Sequence, residues 1–225
     1  MSTLYKVLII DDHPLIIDAY RNALLEVGKD NCDFKFEIDT ANTCDIAYKK
    51  IIEASKKNSI DLVFLDIKLP QSKDGEILSG EDLGIKIREL IKGVKIIVST
   101  TYNDNYLIHN IFKTINPESF LIKNDLTPKK LVLTINSVLN GDPYHSKSVI
   151  KLLQNHLQND FVLDKNDRRL LYELSIGTKM KDLPDILPLS IGGIERRKRH
   201  LKELFDTVDR DDKALIQVAK DKGFI

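Results

Sequence analysis

The chain has 225 residues, 42% of them hydrophobic and 30% charged, with 34 basic side chains balancing 34 acidic ones. That length and apolar content support one large or two modest cores and exclude a globally disordered chain. Net neutrality excludes nucleic-acid binding by bulk charge, leaving only locally basic surfaces, and no apolar run approaches the roughly 20 residues that span a bilayer, so no membrane association is expected. In chain order, Met1 to Lys6 runs into a strand-like segment without the pattern of a secretory signal. Cys32 and Cys44 stand apart with no second pair to build a metal cage, so reduced thiols and a cytoplasmic setting are expected. Short apolar runs predict strands at Val7–Ile10, Phe34–Thr40, Leu62–Leu65, Lys95–Ser99 and Ser119–Ile122. Amphipathic stretches between them predict helices at Leu15–Val27, Cys44–Lys56, Glu81–Ile91, Asn105–Lys113 and Lys129–Leu139. Runs such as Val7-Leu8-Ile9-Ile10 are apolar on both faces, as parallel strands covered by helices must be. Five such units predict a doubly wound α/β domain with a five-stranded parallel sheet over 1–141. Asn140-Gly141-Asp142-Pro143 stops the last helix. A linker is expected over 142–160, and an all-α, four-helix domain over 161–225, with helices at Lys165–Ile176, Lys179–Leu187, Ile191–Phe205 and Asp211–Lys222.

Ligand sites in open α/β sheets lie at the carboxyl ends of the strands. Here strand one ends in Asp11-Asp12, strand three in Asp66 and strand four in Thr100, and Lys123 follows strand five. Crowded carboxylates repel unless a cation sits among them, and hard oxygen ligands suit Mg²⁺. Carboxylates, a lysine and a hydroxyl make up a phosphoryl-transfer set, in which one carboxylate attacks while cations neutralise the phosphoryl oxygens. Taken singly, each residue has an ordinary reading: Asp12 as a helix cap, Thr100 as a buried strand-end hydroxyl, Phe120 as core, Lys123 as a solvated amine. The conjunction at one sheet edge favours the chemical reading.

The blocks Val-Leu-Ile-Ile-Asp-Asp-His-Pro (7–14), Leu-Asp-Ile-Lys-Leu-Pro (65–70), Ile-Ile-Val-Ser-Thr (96–100) and Phe-Leu-Ile-Lys (120–123) together resemble the signatures of response-regulator receivers. The resemblance implies that Asp66 is the phospho-acceptor, receiving phosphate from a sensor histidine kinase. It implies that Asp11, Asp12, Asp66 and the backbone carbonyl of Lys68 hold Mg²⁺. It makes Lys123 the phosphate partner, Thr100 the switch hydroxyl and Phe120 the switching aromatic. The chain departs from the pattern in the long loop Gln71–Gly80, in Thr101 where a small residue is common, and in Lys68 two positions after Asp66. An altered acyl-phosphate lifetime is expected from these departures.

Leu163–Ile225 resembles the LuxR/NarL helix-turn-helix module, so the whole is similar to a NarL/FixJ response regulator. The matches include Leu170-Leu171, Leu174, Gly177, Leu183–Leu187, Leu189-Ser190, Ile194, Leu201, Phe205 and Lys222-Gly223-Phe224-Ile225. Ser190 can cap a helix carrying Arg196, Arg197, Lys198, Arg199, His200 and Lys202. The charge balance is +3 over 190–205 but only +2 over 161–225, which concentrates positive charge on one helix, as a major-groove reader requires. Ser190, Arg196, Arg197, Arg199 and His200 are the expected contacts to double-stranded DNA. Glu195 and Arg197 stand where the family commonly has lysine and histidine, and Gly192-Gly193 weakens the first turn by roughly 1–2 kcal/mol. Ala214, Leu215, Val218 and Ala219 are expected to be core, dimer seam or both, with a homodimer forming on phosphorylation or on DNA.

The expected function is thus a phosphorylation-controlled transcription regulator, not a turnover enzyme beyond self-phosphorylation and self-dephosphorylation at Asp66. The alternative is a phospho-switched protein-interaction module whose helical domain does not bind DNA. An aspartate-nucleophile phosphatase is disfavoured, because Lys68 occupies the place of a second aspartate and no cap domain is present.

Overall fold

The computed structural model describes residues 2–57, 59–101, 105–154, 163–222 and 224–225. The chain divides into two compact units, Met1–Leu157 and Gln158–Ile225.

In the first unit, β1 (Thr3–Ile10), β2 (Phe34–Ala41), β3 (Leu62–Asp66), β4 (Lys95–Thr100), β5 (Ser119–Ile122) and β6 (Tyr144–His145) form one sheet in the order β2-β1-β3-β4-β5-β6. Every strand pairing is parallel. The intervening helices are α1 (Pro14–Asp30), α2 (Cys44–Ser55), α3 (Gly80–Leu90), α4 (Asn105–Thr114) and α5 (Pro128–Asn140). Val7, Ile9, Phe64, Ile97 and Leu121 pack with Tyr20, Leu24 and Val27 of α1 and Leu131, Ile135 and Val138 of α5 in one core. Leu8, Ile10, Leu65, Val98 and Phe120 alternate with them and supply the opposite face. α5 ends where Gly141 turns to φ 93, a conformation that costs glycine nothing but strains any residue with a Cβ.

The sheet has one strand more than the five expected. Tyr144 and His145 pair with Ser119 and Phe120, too short a run for alternation to register in the sequence. α6 (Lys147–Gln154) follows, so 144–154 of the expected linker carries regular structure that packs on α4 and β5. Of that linker, 155–160 lie outside the described residues, as do 161–162 and Gly223 of the expected second domain.

The second unit contains α7 (Lys165–Ser175), a 3₁₀ turn (Met180–Asp185), α8 (Ile191–Leu204) and α9 (Asp212–Asp221). The helix expected over Lys179–Leu187 is therefore a tighter and shorter element. Pro184 lies inside it and has no N–H to return to the Met180 carbonyl, so that α-helical bond is missing, although the Leu187 N–H donates to Leu183 O at 2.8 Å. Leu170, Leu171, Leu183, Ile194, Leu201, Leu215 and Ala219 are buried, and Phe205 stacks on Phe224 at 5.6 Å. Leu215 and Ala219, both at 0% exposure, are committed to this core and leave no apolar surface for a seam at those positions.

Candidate functional site

Register assembles the acidic site. Ile10 stands beside Leu65, Asp66 beside Ser99, and Thr100 beside Ile122. The residues at or just past those positions (Asp11, Asp66, Thr100 and Lys123) therefore meet at the carboxyl edge of the central strands. Lys123 Nζ lies 2.6 Å from Asp66 Oδ2 and 2.7 Å from Asp11 Oδ2, and all three side chains are almost completely buried. Asp66 Oδ1 accepts the Lys68 backbone N–H at 2.9 Å. Burial pushes the Asp66 carboxyl above the usual range; Lys123 opposes that shift and the charge of Asp11 adds to it. Thr100 is wholly buried, whereas Lys68 is exposed.

Asp12 does not cap α1. The N-cap is His13, without a side-chain cap bond, and Pro14 opens the helix, where a missing N–H costs nothing. The Asp11 Oδ1 atom instead accepts the His13 N–H at 3.0 Å, and His13 Nδ1 lies 2.6 Å from Asp12 Oδ1. Ligand atoms of Asp11, Asp12, His13 and Asp66 fall within 4.8 Å of one another. Among the described residues Asp11 Oδ2 has no well-directed hydrogen bond, despite its approach to Lys123. A buried carboxylate oxygen in that condition, beside two more carboxylates, fits a hard divalent cation. His13 did not stand out in the sequence beyond its place in the first motif.

Two features support the site from behind. The Tyr20 hydroxyl donates to Ser99 Oγ at 2.6 Å while its ring stacks on Phe64 at 4.6 Å. Burial drives this phenol far above its ordinary pKa, with the charges of Asp11 and Asp66 adding to the effect. Gly80 donates its N–H to Ile67 O at 3.1 Å, and a Cβ on it would stand 1.8 Å from Asp66 O. Only glycine lets α3 begin this close to the end of β3. The long loop before it bonds to itself through Ser72, Asp74, Gly75 and Ile77, and Lys73 N–H reaches Asp45 Oδ1 on α2. Phe120 is turned inward, stacked on Phe112 at 5.6 Å, and its N–H donates to His145 Nδ1 at 3.1 Å.

In the second unit, Ser190 caps α8 by accepting the Gly193 N–H at 3.3 Å. Arg196, Arg199 and His200 are exposed on α8, whereas Arg197 is half-buried. Lys198 and Lys202 both reach Asp212 at 2.9 Å, and Asp211 caps α9 through the Ala214 N–H. The acidic stretch after α8 thus anchors the back of the basic helix and starts the next one.

A parallel sheet with two buried carboxylates, a buried lysine and a threonine converging at its carboxyl edge defines a phosphoryl-accepting receiver. The chain belongs to the response regulator receiver domain family, whose model matches residues 7–136. It is 22% identical over 222 residues to the transcriptional regulatory protein MctR of Rhizobium johnstonii, spanning 98% of this chain and 95% of that protein. RcsB from Salmonella enterica serovar Typhimurium, solved bound to promoter rprA with the phosphomimetic BeF3-, shares the fold with a TM-score of 0.64 and 19% identity over 97% of this chain and 99% of that one. A structure of two RcsB dimers bound to two parallel DNAs gives a TM-score of 0.59 at 20% identity, covering 97% and 99%. No helix among the described residues is long and apolar enough to cross a membrane.

Proposed function

We propose that this is a response regulator of the NarL/FixJ type, with a receiver over 1–141 extended by β6 and α6, and a helix-turn-helix output domain from about residue 161. Asp66 accepts a phosphoryl group from a sensor histidine kinase, and that event controls DNA binding by the output domain as a homodimer in the cytoplasm. The observation that carries the reading is the convergence of Asp11 and Lys123 on Asp66.

In the transfer, an Asp66 carboxylate oxygen forms the new O–P bond as the N–P bond of the kinase phosphohistidine breaks, and the imidazole leaves with the bonding pair. Lys123, already beside Asp66, stays to neutralise a phosphoryl oxygen. The Lys68 N–H orients the carboxylate, and the Thr100 hydroxyl follows the new phosphoryl oxygen. Asp11, Asp12, Asp66 and the Lys68 carbonyl are the groups that would hold Mg²⁺, which supplies further neutralisation of the transferring group. Phe120 and the α4–β5 region answer to the change at Thr100.

For DNA, Ser190, Arg196, Arg199 and His200 form the reading face of α8. MctR is a transcriptional regulator, and RcsB has been solved on DNA. The second reading, a protein-interaction module, is favoured by the commitment of Arg197, Lys198 and Lys202 to intramolecular carboxylates. Two experiments test the proposal. Phosphate transferred from a small acyl-phosphate donor should appear on the wild type and not on Asp66→Ala. Selection of genomic fragments should then yield a sequence class enriched by a phosphate mimic. A chain labelled equally well without Asp66 refutes Asp66 as the phospho-acceptor, and selection of no preferred duplex leaves the interaction module.

A further inference from the structure

The basic side chains of α8 are not equivalent. Arg196 and Arg199 are exposed, but Arg197 turns back to the start of α7. Its Nη1 lies 2.7 Å from Asp164 Oδ2 and 2.7 Å from Asp167 Oδ1. These two carboxylates already form a reciprocal cap. Asp164 Oδ1 accepts the Asp167 N–H at 2.8 Å, and Asp167 Oδ2 accepts the Asp164 N–H at 3.1 Å. Each carboxylate therefore commits one oxygen to the first turn of α7 and the other to Arg197. The bridge joins that turn to the second turn of α8.

We propose that Arg197 is a positioning residue: its single-nitrogen bridge to Asp164 and Asp167 seats α8 on α7 and withholds this guanidinium from DNA. The proposal rests on the DNA-binding reading above. Two carboxylates at 2.7 Å, one on buried Asp167 and the other on half-exposed Asp164, hold the guanidinium more strongly than one solvated phosphate would, because there are two of them and one is shielded from water. The geometry also separates this role from base reading. A guanine-reading arginine uses its planar fork, for which a lysine amine is a poor substitute. One nitrogen shared between two carboxylates is a point-charge contact, and a lysine can make it.

The test uses the full chain as wild type, Arg197→Lys, Arg197→Met and the double variant Asp164→Asn/Asp167→Asn. Asparagine keeps the capping acceptors and removes the charges. The probes are a duplex selected by the wild type and a random-sequence duplex, each titrated over a salt series. Arg197→Lys should match the wild type in affinity, preference and salt slope. Arg197→Met should lose about tenfold in preference for the selected duplex, the equivalent of one charge-assisted hydrogen bond, with its salt slope unchanged. The double variant should steepen the slope by about 0.9, the value of one added phosphate contact, and bind random duplex more tightly. A slope shallower by about 0.9 in Arg197→Met would overturn the proposal, since it marks a lost phosphate contact. Loss of preference in Arg197→Lys would also overturn it. If the wild type selects no duplex, the DNA reading fails by itself, and positioning is read from amide exchange. Protection in the first turn of α7 and in α8 should then fall about tenfold in Arg197→Met and return in Arg197→Lys. Unchanged protection defeats the idea.

Discussion

Replacing Lys123 by methionine tests the electrostatics of the acidic site most directly. The side chain volume is nearly kept, but the amine between Asp11 and Asp66 is removed. Those carboxylates are 0% and 1% exposed, and the amine contacts both, at 2.7 and 2.6 Å. Removing one partner of a buried ion pair typically costs about 3–5 kcal/mol, because the remaining charge stays buried without compensation. In a unit of this size that corresponds to a fall in unfolding midpoint of roughly 6–20 °C in chelator. Magnesium should restore much of the loss, because a cation that binds the folded state alone stabilises it by mass action, and Lys123 no longer competes for the same oxygens. The assay is amide exchange in β1 and β3 with thermal unfolding, in chelator and in saturating magnesium, so that the first unit is read separately from the second. Phosphoryl uptake should remain poor in the variant even with magnesium present. The reasoning is refuted if the metal-free variant loses less than about 1 kcal/mol, well below the range for a broken buried pair. It is equally refuted if magnesium stabilises both proteins to the same extent.

The other tests probe the surrounding supports. Gly80→Ala places a Cβ 1.8 Å from Asp66 O, so α3 or the end of β3 must shift; a loss at or above about 3 kcal/mol is expected from overpacking, with slower labelling of Asp66, measured by urea unfolding and phosphoryl uptake. Tyr20→Phe keeps the stack on Phe64 but deprives Ser99 Oγ of its donor; the cost should be about 1–3 kcal/mol, and Tyr20→Phe with Ser99→Ala should recover part of it in the same unfolding assay. His145 gives a pH prediction. Burial lowers its pKa from the ordinary 6.5, so the unfolded chain takes the extra proton first; its contribution is intact above about 6.5 and declines as pH falls through that value toward the lower folded pKa. Protonation also fills the Nδ1 that accepts the Phe120 N–H. The protection factor of that amide should therefore drop on acidification in the wild type and not in His145→Asn, and an equal drop in both would exclude the ring as the cause.

These tests fall on residues that were visible in the sequence to different degrees, and the reason is physical. Asp11, Asp66, Thr100 and Lys123 were legible because a parallel sheet turns sequence order into spatial order: a polar residue ending an apolar run has one place to go. The strands β1, β3, β4 and β5 were legible because burial makes continuous apolar runs of their sequences, whereas β2 alternates and β6 was too short to register. Tyr20, Ser99 and Gly80 carried no such signal. A tyrosine inside an amphipathic helix reads as core, a serine before Thr100 reads as filler, and the need for glycine at position 80 arises only once α3 docks on β3. The 3₁₀ turn at Met180–Asp185 was missed because the apolar spacing suited a helix, whereas the absent N–H of Pro184 decided the outcome. Arg197 shows the limit most sharply. Composition along α8 cannot distinguish a cation offered to solvent from one already held by carboxylates, because Asp164 and Asp167 lie some 30 residues away in sequence. Charge counting along a helix therefore sets an upper bound on what that helix can present to DNA, and the partners contributed by neighbouring helices determine how much of it remains.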